Sequence, residues 1–364
     1  MSLAWGGLAG SGIVSDMVEY TWAPVLESLL AGVNLTREDA RAAMTEIMEG
    51  RATEGQIAAF AIALRAKGES AEEMTGLVDA MYDAALTVDV GERVVDTVGT
   101  GGDASGTFNI STTAAFIAAG AGAKVAKHGN RAASSKTGSA DLVEALGIDL
   151  DLPPEATVRM IRETGFGFFF APRYHPAMRH AGPVRRQLAV RTVFNFLGPL
   201  CNPAGARYLS VGTSDHRMAG LMADVLRNRG ARLAFVFHGE DGLDELTTTG
   251  PSFIYRLKDG EITHAEFTPE DFGVGRADPA DLKGGDVDLN VAITRGILTG
   301  ERGPKRDIAM VNAAPAIVAA GLADGFTEAM TLAEQALDSG DAITVLDRSV
   351  RLSNALRIEQ VNNR

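Results

Sequence analysis

The sequence predicts an α/β protein with a small N-terminal helical domain and a larger domain built on a central mixed, partly parallel sheet flanked by helices. Three observations predict it. The first ninety residues carry helical periodicity, β-type runs alternate with helices from Val94 onward, and 364 residues suit two cores better than one.

The helical part is read element by element. Val18, Trp22, Val25, Leu26 and Leu29 form the apolar stripe of an amphipathic helix that begins near Met17 and stops near Gly32. Residues 1–16 precede that stripe and read as a flexible leader. Three capping-box patterns open three more helices: Thr36 to Asp39, Thr53 to Gln56 and Ser70 to Glu73. Gly50 and Gly68 stand where a left-handed residue ends the second and third helices. With no titratable cluster or glycine-rich loop, residues 17–92 are expected to serve packing and association.

The grammar then changes. Val94–Val98, Ala123–Ala126, Phe166–Phe170, Tyr208–Val211 and Leu233–Phe237 read as strands, with apolar helical patterns between several of them. Ile308–Leu322 and Met330–Leu337 read as covering helices, so residues 93–364 form the α/β domain.

Composition excludes several classes of function. No run of about 18 apolar residues is present, so no membrane partner is expected. A net charge of −13 argues against nucleic acid. Cys201 is the lone cysteine, which excludes an internal disulfide and suits a reducing cytoplasm. Yet residues 104–140 and 164–214 contain no acid. They carry Lys124, Lys127, Arg131 and Lys136, then Arg173, Arg179, Arg185, Arg186, Arg191 and Arg207. Two basic windows in an acidic chain focus a small anion.

Four segments carry the chemistry. Asp96 to Asp103 ends a strand in a glycine-rich turn, and Asn109-Ile110-Ser111-Thr112 opens the next helix. Glycine admits close approach of a ligand, and a helix start offers free N–H groups to phosphate. The turn fits neither the P-loop nor the dinucleotide fingerprint, and alone it could be purely structural. Lys127 to Ser139 makes a second cradle of cation, hydroxyls and amides. His128 within it could act as acid or base, or simply pack. Gly239 to Glu245 places four carboxylates in one loop, a solvated turn or a Mg²⁺ site of the kind that uses one or two protein carboxylates. Gly182 to Leu188 offers Arg185 and Arg186 as carboxylate forks, and Phe194 to Pro199 offers walls for a flat ring.

Together these segments resemble the anthranilate phosphoribosyltransferase family. The matching words are GTGGD at 99–103, NIST at 109–112, KHGNR at 127–131, GPVR at 182–185, NFLGPL at 195–200 and GLDE at 242–245, in the family's order. The resemblance implies a cleft between two domains, a segment near 186–206 returning to the helical domain, and a homodimer through that domain. It implies phosphoribosyl pyrophosphate and anthranilate as substrates and Mg²⁺ as cofactor. Gly99, Gly102, Asp103, Thr107, Asn109, Ser111, Thr112, Lys127, Ser135 and Ser139 would then surround phosphoribosyl pyrophosphate. Ser111, Asp244 and Glu245 would hold Mg²⁺, while Gly99, His128, Asn130, Arg185 and Pro199 would line the anthranilate site. No residue is assigned as acid or base, because the arylamine is already neutral. Cys201 departs from the family, where a small polar residue such as threonine is expected. The alternatives are a pyrimidine nucleoside phosphorylase, a non-catalytic relative that binds nucleic acid, and a transferase for another aromatic amine.

Overall fold

The computed structural model describes residues 20–132 and 136–362, with side chains through residue 360. The leader expected at 1–16, the helix start at Met17 and the site residue Ser135 lie outside the described residues.

Four helices open the chain: α1 Trp22–Leu30, α2 Arg37–Met48, α3 Glu54–Lys67 and α4 Ala71–Asp83. The caps at Thr53 and Ser70 are full capping boxes: Gln56 accepts from the Thr53 amide at 2.8 Å and Glu73 from the Ser70 amide at 2.8 Å. The box expected at Thr36 is only half made. Its hydroxyl accepts from the Asp39 amide at 3.1 Å, but the Asp39 carboxylate takes that same hydroxyl at 2.8 Å instead of the Thr36 amide. Trp22 meets Phe60 edge-on at 5.7 Å, which fixes α1 on α3.

The second part runs β1 Val95–Gly99, α5 Ile110–Gly120, β2 Val125–Gly129, α6 Ser139–Ala145, α7 Pro154–Thr164 and β3 Phe166–Phe170. It resumes with β4 Tyr208–Gly212 and β5 Leu233–Gly239. The sheet order is β3-β2-β1-β4-β5-β6-β7, and the first five strands are parallel. The hairpin β6 Ser252–Lys258 and β7 Glu261–Phe267, absent from the sequence reading, adds two antiparallel strands at one edge. Asp259 and Gly260 turn it with φ of 48° and 90°, the two-residue turn that suits twisted strands.

Between β3 and β4 the chain leaves the sheet. It passes through α8 Ala171–Tyr174, a 3₁₀ turn at Pro176–His180, α9 Gly182–Leu188, α10 Phe194–Leu197 and a second 3₁₀ turn at Gly198–Leu200. Packing against the helical part begins before residue 186, with the first 3₁₀ turn on α2 and α9 on α3. Ala181, Val184, Val193, Phe196 and Cys201 share a core with α1–α4. Cys201 Sγ lies 3.8 Å from Met81 Sδ, and this apolar setting explains a cysteine in place of a polar residue.

Alternation on β5 divides the two faces of the sheet. Phe235 and Phe237 face the core of α5, α12 Val287–Leu298, α13 Pro304–Ala320, α14 Phe326–Asp338 and α15 Asp341–Asn362. Ala234 and Val236 face α11 His216–Asn228 and the helical part. No helix among the described residues is long and apolar enough to cross a membrane.

Candidate active site at the switch point of the sheet

Strand order reverses between β1 and β4, where loops diverge and a crevice opens at the carboxyl ends of the strands. Gly99 and Gly212 are paired there, and neither has room for a side chain. A Cβ on Gly99 would fall 2.2 Å from Asp244 Oδ2, and one on Gly212 would strike the Asp244 carbonyl. Two glycines at adjacent strand ends thus admit Asp244 into the crevice. Asn312 on α13 holds the acidic loop in place, donating to the Leu246 carbonyl at 2.9 Å and accepting from the Leu246 amide at 2.8 Å.

Asp244 and Glu245 are both buried. Asp244 accepts from the Gly101 amide at 2.7 Å, and Glu245 from the Ser111 amide at 3.0 Å. Burial, and then the nearby Asp103 carboxylate, push Asp244 up to about 6; the Gly101 amide and Arg191 oppose this. Burial and Asp244 raise Glu245 well above the carboxylate range, against the pull of Lys127 and the Ser111 amide.

Lys127 rises from β2 beneath them. Its ammonium donates to the Thr97 carbonyl at 2.5 Å and to Ser111 Oγ at 3.3 Å. Burial depresses its pKa, and Asp96, Glu245 and Asp244 resist that depression. Ser111 therefore joins three parts: its amide holds the acidic loop, its hydroxyl receives Lys127, and it stands in the first turn of α5.

The remaining expected residues fall around this centre. Gly102 lies beneath the Arg191 guanidinium. Asp103 accepts from the Ser105 hydroxyl at 2.6 Å, and that hydroxyl is 3.2 Å from Thr107 Oγ1. Asn109 donates to the Thr137 carbonyl at 3.0 Å and so ties the two glycine-rich loops together. Thr112 is buried, and its hydroxyl meets no partner among the described residues. Ser139 donates to the Asn130 carbonyl at 3.2 Å, while the exposed Asn130 accepts from the Arg131 amide at 2.7 Å.

His128 is buried and donates from Nδ1 to the Gly198 carbonyl at 3.2 Å, next to the buried Pro199. Burial and His175, 5.1 Å away between ring centroids, push the His128 imidazole down to about 3. It is neutral at physiological pH and a weaker base than a free imidazole. Arg185 is half-buried on α9, its pKa lowered by that burial, and its guanidinium has no partner among the described residues. No hydrogen bond or ion pair among the described residues ties it to the glycine loop.

Asp96, Asn202 and Arg191 were not singled out as site residues by sequence reasoning. Asp96 is wholly buried and raised to about 6 by burial; it accepts from Asn202 Nδ2 at 2.7 Å and from the His128 amide at 3.1 Å. An acid inside the apolar run Val94–Val98 was its signal.

The donor set fits Mg²⁺. Two buried carboxylates with raised pKa, a hydroxyl nearby and a third acid at Asp103 create a demand for a cation that Lys127 meets only in part. No three His, Cys, Asp or Glu side chains converge as a closed metal cage among the described residues, and Mg²⁺ keeps most of its shell for water and phosphate.

Fold and site define a two-domain glycosyl transferase. Residues 91–343 match the α/β domain of the glycosyl transferase family, and residues 23–85 match its helical bundle domain. The anthranilate phosphoribosyltransferase of Moorella thermoacetica is 52% identical over 326 residues, 89% of this chain and 96% of that one. The crystal structure of anthranilate phosphoribosyltransferase from Thermus thermophilus superposes with a TM-score of 0.86 at 43% identity, covering 90% of this chain and 99% of that one. The enzyme from Saccharomyces cerevisiae, solved in complex with phosphoribosyl pyrophosphate and Mg, gives 0.85 at 25% identity, covering 92% and 98%. The chain belongs to the anthranilate phosphoribosyltransferase family.

Proposed function

We propose that the protein transfers the 5-phosphoribosyl group from phosphoribosyl pyrophosphate to the amino group of anthranilate, the second step of tryptophan biosynthesis from chorismate. The products are N-(5-phosphoribosyl)anthranilate and pyrophosphate. The observation that carries this reading is the meeting of a glycine loop, Lys127 and the Asp244–Glu245 pair at one switch point.

Glycine-loop amides, Ser111, Thr112 and Lys127 hold the phosphates, with Gly99, Gly102, Asp103, Thr107, Asn109, Ser135 and Ser139 around them. Ser111, Asp244 and Glu245 hold Mg²⁺, which when bound offsets the negative charge of pyrophosphate. Arg185 grips the anthranilate carboxylate in the site lined by Gly99, His128, Asn130 and Pro199, and so aims the amine at the sugar. The anomeric C–O bond breaks with its electron pair going to pyrophosphate. The nitrogen lone pair forms the new C–N bond, and the extra proton on nitrogen leaves to water. The charge building on pyrophosphate faces Lys127. Closure of the helical part over the sheet keeps water from the activated sugar.

The chain works in the cytoplasm as a homodimer through its helical domain, residues 17–92 with the return segment. Leu30, Val33 and Ile62 expose apolar side chains there that an interface can use. The test follows loss of anthranilate fluorescence with phosphoribosyl pyrophosphate and Mg²⁺, beside a sample containing EDTA. Metal-dependent loss with equal pyrophosphate release supports the reading. No loss from folded protein overturns it and favours another acceptor.

A further inference from the structure

Arg191 belongs to the acid-free window 164–214 but to none of the roles above. Its guanidinium lies against Gly102: a Cβ there would fall 2.9 Å from Nη2 and 3.4 Å from Nε. Gly102 has a φ of 75°, a backbone form that calls for glycine, and its missing side chain leaves the space that Arg191 occupies. The guanidinium makes no hydrogen bond or ion pair among the described residues. Its charge is nevertheless felt by Asp244 and Asp215, whose carboxyls it pulls down against their burial.

The backbone of Arg191 is anchored elsewhere. Arg65 on α3 donates to the Arg191 carbonyl, and the Thr192 amide donates to Asn195 Oδ1 at 3.0 Å, which starts the next helical turn. The residue is therefore rooted in the helical part while its head crosses to the glycine loop of the sheet. A planar fork of donors, without a partner of its own and set over a turn of glycine amides, is suited to an oxyanion with two oxygens side by side. Phosphate chemistry provides that shape.

We propose that Arg191 is a ligand of the diphosphate half of the phosphoribosyl donor, reaching it from the helical part across the cleft. The inference rests on reading the glycine loop as the donor's cradle. It adds a cation rooted in the helical part to Lys127 on the sheet, so the leaving diphosphate is held between the two parts of the molecule. Binding of that group then draws the helical part toward the sheet through the Arg65 contact.

Calorimetric titration of pyrophosphate with Mg²⁺ into the full chain tests this, using wild type, Arg191→Gln, Arg191→Lys and Lys127→Gln. Arg191→Gln is expected to weaken pyrophosphate binding by about 10- to 100-fold, the size of one charge-assisted contact. Arg191→Lys recovers part of the loss, because the charge stays and the fork does not, and the KM for anthranilate is unchanged in both. If Arg191→Gln is unstable by thermal melt, Arg191→Lys decides alone: weaker binding supports the assignment and wild-type affinity overturns it. Wild-type affinity in Arg191→Gln, with binding lost in Lys127→Gln, overturns the role of Arg191 and leaves the cradle standing. If neither variant alters binding, or wild type binds no pyrophosphate, the cradle reading fails and this inference with it.

Discussion

The loops after β1 and β2 are both rich in glycine and small polar residues, yet they are held in opposite ways. The first is held from outside: its Gly101 amide and the Ser111 amide are spent on Asp244 and Glu245, more than 130 residues away. The second is largely held by itself. Asp141 accepts from the Ala132 amide at 3.1 Å and the Gly138 amide at 2.9 Å, and Arg131 pairs with Asp141 and Glu144. The shape of the first loop therefore depends on the charge state of an acidic pair, whereas the second is a scaffold. A ligand that changes the charge on the pair acts on the first loop directly and reaches the second through Lys127 and the Asn109–Thr137 contact.

Lys127→Met gives the largest expected break in this contrast. It removes the cation that Glu245 and Ser111 share, and kcat should fall about 10²- to 10³-fold in steady-state assays, the scale of losing one electrostatic contact in the transition state. Gly99→Ala comes next. Its Cβ collides with a buried carboxylate, so the variant should lose about 1–3 kcal/mol of stability by denaturant titration, as overpacked sites do. Mg²⁺ should no longer shift its melting temperature, because Asp244 has been displaced.

A pH series sharpens the comparison further. Asp244 titrates near 6 in the folded chain against 3.8 as its ordinary value, so its charged form is the one the fold disfavours. That cost is absent below the unfolded value and complete above about 6, so metal-free protein should lose stability as pH rises through this window. Mg²⁺ should restore it, and activity should rise with pH through the same range as metal replaces the proton. His128, already neutral above about 3, should contribute no inflection, and His128→Gln should keep the profile shape. The smallest effect is expected in the second loop. Arg131 is an exposed partner of Asp141 and Glu144, and Arg131→Ala should cost less than about 1 kcal/mol, with the Mg²⁺ response intact.

Short-range signals were legible in the sequence because they are local. Thr53 with Gln56, Ser70 with Glu73, and the apolar stripe through Trp22, Val25 and Leu29 each act within a few turns of their own helix. Both cradles were legible because glycine and helix starts have local causes. The β6–β7 hairpin was missed although Asp259-Gly260 announces its turn, since the exposed β7 lacks the apolar run that marked the other strands. Arg191 could not be singled out from sequence. Its place over Gly102 exists only because the chain leaves β3, packs on α3 and comes back, a return that no local pattern encodes.

The most direct test of the account removes both charges of the pair at once. Phosphoribosyl pyrophosphate would be titrated with and without Mg²⁺ into wild type and into the double variant Asp244→Asn, Glu245→Gln. The account predicts that Mg²⁺ strengthens binding to wild type and has little effect on the double variant. Without metal, that variant should melt higher than wild type because two buried carboxylates are gone. A double variant that keeps wild-type, Mg²⁺-dependent affinity would contradict the account, since another set of residues would then hold the metal.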